Sequence, residues 1–241
     1  MEPTHRRRGL SEVIKRDSAA KAAGLMLLAT AVATVVMIVG RITAAADEPA
    51  FMGSLTAIAS GSGEYALSGA ARLVSGLTLL GAAWFLSRTW IIRRRLATPL
   101  VPGLFALSAV FTAVSGALAV ALASMASQAV TLGAKSSAFA RAETISDLRL
   151  LTGKIGFALA GLALVVAARY QWRVGGVLRY VAPVSAILGI AMQFIWINSA
   201  TVAHPIIGTA FLVWLVGVGV MLLTGRTERL FTRYVDNRAA T

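Results

Sequence analysis

Residues 66–95 read ALSGAARLVSGLTLLGAAWFLSRTWIIRRR. From Ala66 to Ser87 the stretch is apolar apart from Arg72 and a few hydroxyls; Arg88, Arg93, Arg94 and Arg95 then gather around Trp90. A helix needs about 20 mostly apolar residues to cross a bilayer. Lys and Arg collect at the cytoplasmic end of such a helix, with Trp and Tyr at the interface. The stretch therefore reads as a membrane span with a cytoplasmic arginine-rich end and one charge, Arg72, out of place inside it.

Working outward, five further runs have the same character: about Ala22–Gly40, Gly103–Ala126, Leu150–Ala168, Tyr180–Ile197 and Pro205–Thr224. The whole chain is 57% hydrophobic and 14% charged, against roughly 45–50% and 25% in soluble domains. The expected fold is all-α, a polytopic integral membrane protein of six transmembrane helices. Residues 1–21 form a basic N-terminal segment, 22–224 the membrane domain, and 225–241 a basic amphipathic tail. In that tail Leu230, Phe231 and Tyr234 share one face, which suits a helix lying on the membrane surface with Arg226, Arg229 and Arg233 at the headgroups. Ala44-Ala45-Ala46 resembles a signal-peptidase site, but the apolar run before it exceeds the roughly 7–15 residues of a signal core, so it is read as a true first span.

The net charge of +13 follows from topology. Seventeen of the 23 Lys and Arg fall before span one, in the second and fourth connections, and in the tail; six fall on the other side. This bias places both termini in the cytoplasm and accounts for the positive charge without nucleic acid. Trp84, Trp90, Tyr170, Trp172 and Tyr180 cluster at the predicted cytoplasmic ends.

Between spans one and two, Pro49–Ser60 is expected to form a short helix with Phe51, Leu55 and Ile58 on one face. Residues 127–149 read as the longest polar connection, and Asn198 to His204 as a tight uncharged turn.

Few residues are candidates for a site. Arg72 leads, because a charge within a span is costly and functional by default. If span two instead runs from Leu73 to Ile92, Arg72 sits at the boundary and snorkels to the headgroups. Glu64, eight residues earlier, falls on a similar face. Lys154 lies near the start of span four; Asp147 and Lys154 can share a helical face, either as an interfacial charge cluster or, with Arg72 and Glu143, around an outward-facing polar vestibule. His204 is a polar group at the start of span six. A single histidine near the membrane cannot supply a zinc ligand set, and the chain has no cysteine. No HExxH, GxSxG or Walker pattern occurs, and no carboxylate lies deep in a span. No catalytic residue, metal site or cofactor is therefore expected.

Ala23-Gly24-Leu25 in span one, Leu55-Thr56-Ala57-Ile58-Ala59 with Tyr65, and an apolar second span ending near Trp90 resemble a bacterial six-span family, the DUF4386 group, a domain of unknown function. The resemblance covers about residues 20–224. It implies a six-helix protein of the bacterial inner membrane and carries no catalytic residue across. Two functions compete: a structural or accessory membrane component packing through glycine-rich faces, and a small transporter or binder of an anionic or amphiphilic solute at Arg72 and Lys154. An intramembrane enzyme ranks third. The partners expected are the lipid bilayer and, on the first reading, another membrane protein; nucleic acid is not among them.

Overall fold

The computed structural model describes residues 17–44, 50–197 and 203–239. Among these there is no strand, and six helices are long and apolar enough to span a membrane. They are α1 (Ser18–Thr43), α3 (Ser62–Ser87), α5 (Leu100–Leu132), α6 (Ser137–Val174), α7 (Val177–Ala191, continued by a 3-10 turn, Met192–Trp196) and α8 (Ala203–Leu223). Three shorter helices join them: α2 (Phe51–Ser60), α4 (Trp90–Arg93) and α9 (Arg226–Ala239). The basic segment 1–16, Asp47, Glu48 and Pro49, and the turn at Asn198 lie outside the described residues.

Each span packs chiefly on its neighbours in the order α8, α1, α3, α5, α6, α7. One core runs through all six: Leu27 of α1, Leu79 of α3, Phe105 of α5, Leu164 of α6, Leu188 of α7 and Trp214 of α8 are among its buried members. Glycines set the spacing. A Cβ on Gly76 of α3 would lie 2.6 Å from the Ala113 backbone nitrogen of α5, and one on Gly116 of α5 would strike the Leu73 nitrogen of α3. Backbones this close maximise dispersion contact, which must drive helix association where lipid is as apolar as leucine. The pairs Gly161–Gly189 (α6–α7) and Gly24–Gly219 (α1–α8) do the same elsewhere.

Hydroxyls fasten the seams. Thr30 and Thr78 lie 2.9 Å apart, and Thr34 and Ser75 3.0 Å apart, between α1 and α3. Ser108 donates to the Gly156 carbonyl at 2.7 Å between α5 and α6. The Trp214 indole donates to Ser185 at 2.9 Å between α8 and α7. Gln193 bonds the Ala158 carbonyl of α6 at 3.1 Å, the cross-helix role expected of a buried amide.

The structure corrects three boundaries. The expected polar connection 127–149 is nearly all helix: α5 runs to Leu132, Gly133 at φ +78° ends it, and the Ser136 side chain caps α6 by accepting from Phe139 N at 3.1 Å. Nine of the fourteen residues 138–151 are Ala, Arg, Glu or Leu, which favour helix regardless of charge. At 1.5 Å per residue α5 and α6 are about 50 and about 57 Å long, well beyond a hydrocarbon core of about 30 Å. Their extended ends hold α2, whose buried Leu55 and Ile58 join Ala126, Ala138 and Ala142, with Phe51 edge-on to Phe139 at 5.2 Å. Next, α3 starts at Ser62 and stops at Ser87, so a second span shifted to Leu73–Ile92 does not form; the chain breaks at Arg88 and Thr89 before α4. Last, the apolar face of α9 is covered by protein: Phe231 is buried with Ile91 and Leu178.

The described ends of the chain meet. Asp17 caps α1 by accepting from Ala19 N at 3.0 Å, and its second carboxylate oxygen accepts from Trp90 N at 2.8 Å. Its own amide donates to Glu228 Oε1 at 3.0 Å. Asp17, α4 and α9 thus share one end of the bundle, termed the basic end because Lys21, Arg88, Arg93–Arg95, Arg169, Arg173, Arg179 and the α9 arginines lie there. The extended hairpin of α5 and α6 marks the opposite end.

Candidate anion site

Arg72 stands ten residues into α3, about 15 Å from its start, and turns across the bundle into α6. A Cβ on Gly153 would lie 2.6 Å from Arg72 Nη2 and 3.2 Å from Ser115 Oγ. Gly153 therefore makes the recess that receives the guanidinium, and any larger residue would fill it. Ser115 of α5 is fully buried beside it and donates to the Arg149 carbonyl at 2.8 Å. Three helices thus build one small compartment.

Two further arginines lie within electrostatic range of Arg72. They are Arg149 of α6 and Arg41 at the end of α1, and Tyr65 lies within the same range. The Arg149 guanidinium sits 5.9 Å from the centroid of the Tyr65 ring. Tyr65 is 3% exposed. Neither its hydroxyl nor Arg72 Nε has a hydrogen-bond partner among the described residues. Burying an unsatisfied hydroxyl costs about 1–3 kcal/mol. An anion in the compartment would relieve that cost and meet the guanidinium, which matches the two oxygens of a carboxylate or phosphate.

The residues singled out from sequence divide. Arg72 is at the centre. Lys154 is partly buried, one position past Gly153, and is not among the groups acting on Arg72. Glu143 and Asp147 are exposed on α6, and Glu64 is exposed in the first turn of α3. His204 approaches the Phe194 carbonyl at 3.1 Å and ties the start of α8 to the 3-10 turn. Sequence reasoning passed over Arg41, Tyr65, Ser115, Arg149 and Gly153. One signal was present: Tyr65 and Arg72 are seven residues apart and fall on one helix face.

No family model, no curated protein and no solved structure matches this chain.

Proposed function

We propose that this multi-pass membrane protein binds an anionic group, the carboxylate or phosphate of a small amphiphile, in the compartment between α3, α5 and α6. The observation that carries the reading is the Arg72 guanidinium held against Gly153 and Ser115 inside the bundle, with Arg72 Nε and the buried Tyr65 hydroxyl lacking a hydrogen-bond partner among the described residues. Arg72 is the central ligand, Tyr65 supplies a hydroxyl donor, and Ser115 and Gly153 shape the floor. The long apolar flanks of the three helices suit an amphiphile that enters from the bilayer.

The accessory-subunit reading draws on glycine faces. Gly69, Gly76, Gly153, Gly156, Gly161 and Gly219 all approach neighbours within this bundle, while Gly63 of α3, Gly103 of α5 and Gly208 and Gly217 of α8 have open surroundings. That distribution favours the binding reading over assembly through glycine faces. The charge bias supports an orientation with the basic end in the cytoplasm, and the resemblance supports a bacterial inner membrane.

The test is a titration of the protein in nanodiscs with a fluorescent long-chain fatty acid, and separately with inorganic phosphate. Arg72→Gln should weaken binding of at least one probe roughly tenfold, the worth of one charge-assisted hydrogen bond. Unchanged affinity for both probes in a folded Arg72→Gln protein would sink the proposal.

A further inference from the structure

A second site lies at the basic end. The turn between α4 and α5 and the end of α6 border an open cavity of about 460 Å³, lined by Ile92, Arg93, Arg95, Ala97, Thr98, Pro99 and Tyr170. Arg95 is in the left-handed region at φ +56°, the one non-glycine residue with positive φ among those described. The turn that holds it there is bonded on both sides, Arg95 N to the Ile92 carbonyl at 2.9 Å and Leu96 N to the Ile91 carbonyl at 3.0 Å. Glycine meets such a turn without strain. Arginine there adds strain and delivers a guanidinium to the cavity, and strained backbone of this kind is a pointer to function.

The other arginines nearby are engaged. Arg88 stacks on Trp84 at 4.1 Å, Arg94 on Trp90 at 5.9 Å, Arg173 on Tyr170 at 5.9 Å and Arg179 on Trp172 at 5.0 Å. Arg93 and Arg95 are exposed and have neither a ring nor a carboxylate partner among the described residues. The cavity also meets the start of α5, a helix of 33 residues, whose N-terminal end is electropositive. Thr98 Oγ1 accepts from Leu100 N at 3.2 Å there, leaving the Thr98 hydroxyl hydrogen free to donate. Ile92 and Pro99 give the cavity an apolar side.

We propose that this cavity binds the phosphate of an anionic phospholipid headgroup. Arg93 and Arg95 take the phosphate oxygens, and Thr98 and Tyr170 offer hydroxyl donors. Ile92 and Pro99 face the glycerol and upper acyl chain. The surrounding Arg–Trp and Arg–Tyr stacks set the level of the membrane interface, so the cavity opens where headgroups lie. This site is independent of the compartment at Arg72.

The test uses the full chain purified from mixed phosphatidylglycerol and phosphatidylcholine, with retained lipid counted by native mass spectrometry. The wild type should retain phosphatidylglycerol in preference. Arg93→Gln with Arg95→Gly should reduce that retention about tenfold, the loss of a charge-assisted contact. Arg226→Gln with Arg233→Gln removes the same charge from the same end and should leave retention unchanged. Arg95→Gly alone should raise the melting temperature while retention falls, which separates ligand loss from misfolding. Undiminished retention in the Arg93/Arg95 variant, or equal loss in the Arg226/Arg233 variant, would overturn the proposal. So would binding of inorganic phosphate without preference for phosphatidylglycerol over phosphatidylcholine, which would assign the cavity to free phosphate.

Discussion

At Tyr65 and Gly153 the compartment around Arg72 makes contrasting demands. The Tyr65 hydroxyl is buried and has no hydrogen-bond partner among the described residues, so Tyr65→Phe removes a desolvation cost and loses little packing. Its stability should stay within about 0.5 kcal/mol of the wild type or rise, while anion affinity falls; thermal unfolding beside a fatty-acid titration checks both halves. Gly153→Ala acts in the opposite sense. Its methyl would meet Arg72 Nη2 at 2.6 Å and Ser115 Oγ at 3.2 Å, so the guanidinium must leave its recess. Affinity should drop as far as in Arg72→Gln, and the double variant should bind no worse than either single one, the non-additivity of two changes acting on one contact.

Pairs of helices carry most of the fold, and the α3–α5 seam is among the closest of them. Gly116→Ala would drive a methyl into the Leu73 backbone, which cannot move without moving α3. We expect a loss of about 1–3 kcal/mol, as for overpacking in a soluble core. Gly217→Ala on α8 meets nothing within 4 Å and should be neutral or stabilise by up to about 1 kcal/mol, the helix-propensity difference. Unfolding both variants in the same detergent compares them directly; equal losses would mean that the seam does not set stability. The same scale explains α9. Its hydrophobic residues alternate with arginines as a lipid-surface helix would have them, yet Phe231 is buried on Ile91 and Leu178. The sequence pattern identifies the apolar face without identifying what covers it.

Across the whole molecule, Asp17 joins the first span to the elements that follow the second and the sixth. Its carboxylate bonds Ala19 N and Trp90 N, and its amide bonds Glu228. Asp17→Ala removes a helix cap and a second bond to a charged acceptor, together about 2–3 kcal/mol. It should lower the melting temperature and quicken proteolysis of α9; an unchanged digestion pattern would show that the latch is dispensable. Because the chain contains no cysteine, its orientation can be read from single introduced cysteines. Arg238→Cys should label only from the cytoplasmic side, and Lys135→Cys, at the hairpin between α5 and α6, only from the other. Labelling of both from one side would contradict the three spans, α6 to α8, that lie between them.

The sequence by itself determined the class and the number of helices able to span a membrane, and it predicted that the chain ends share one side. Each of these rests on a property that adds up along the chain: apolar length must match bilayer thickness, and an even count of crossings returns the chain to where it began. It also isolated Arg72, because a single charge in an apolar run stands out without knowledge of its neighbours. Tertiary structure alone decided what Arg72 meets. Arg149 lies in a segment that reads as a polar connection, and only the continuation of α6 as one helix brings it beside α3. Gly153 looks like any other small residue in a span until its missing side chain is seen to be the space a guanidinium occupies. Arg95 reads as one more basic residue in a cytoplasmic flank, and only its left-handed backbone and the cavity beside it set it apart. Such features depend on which helix faces which, and on distances of a few ångströms between residues far apart in the chain, which local pattern does not encode.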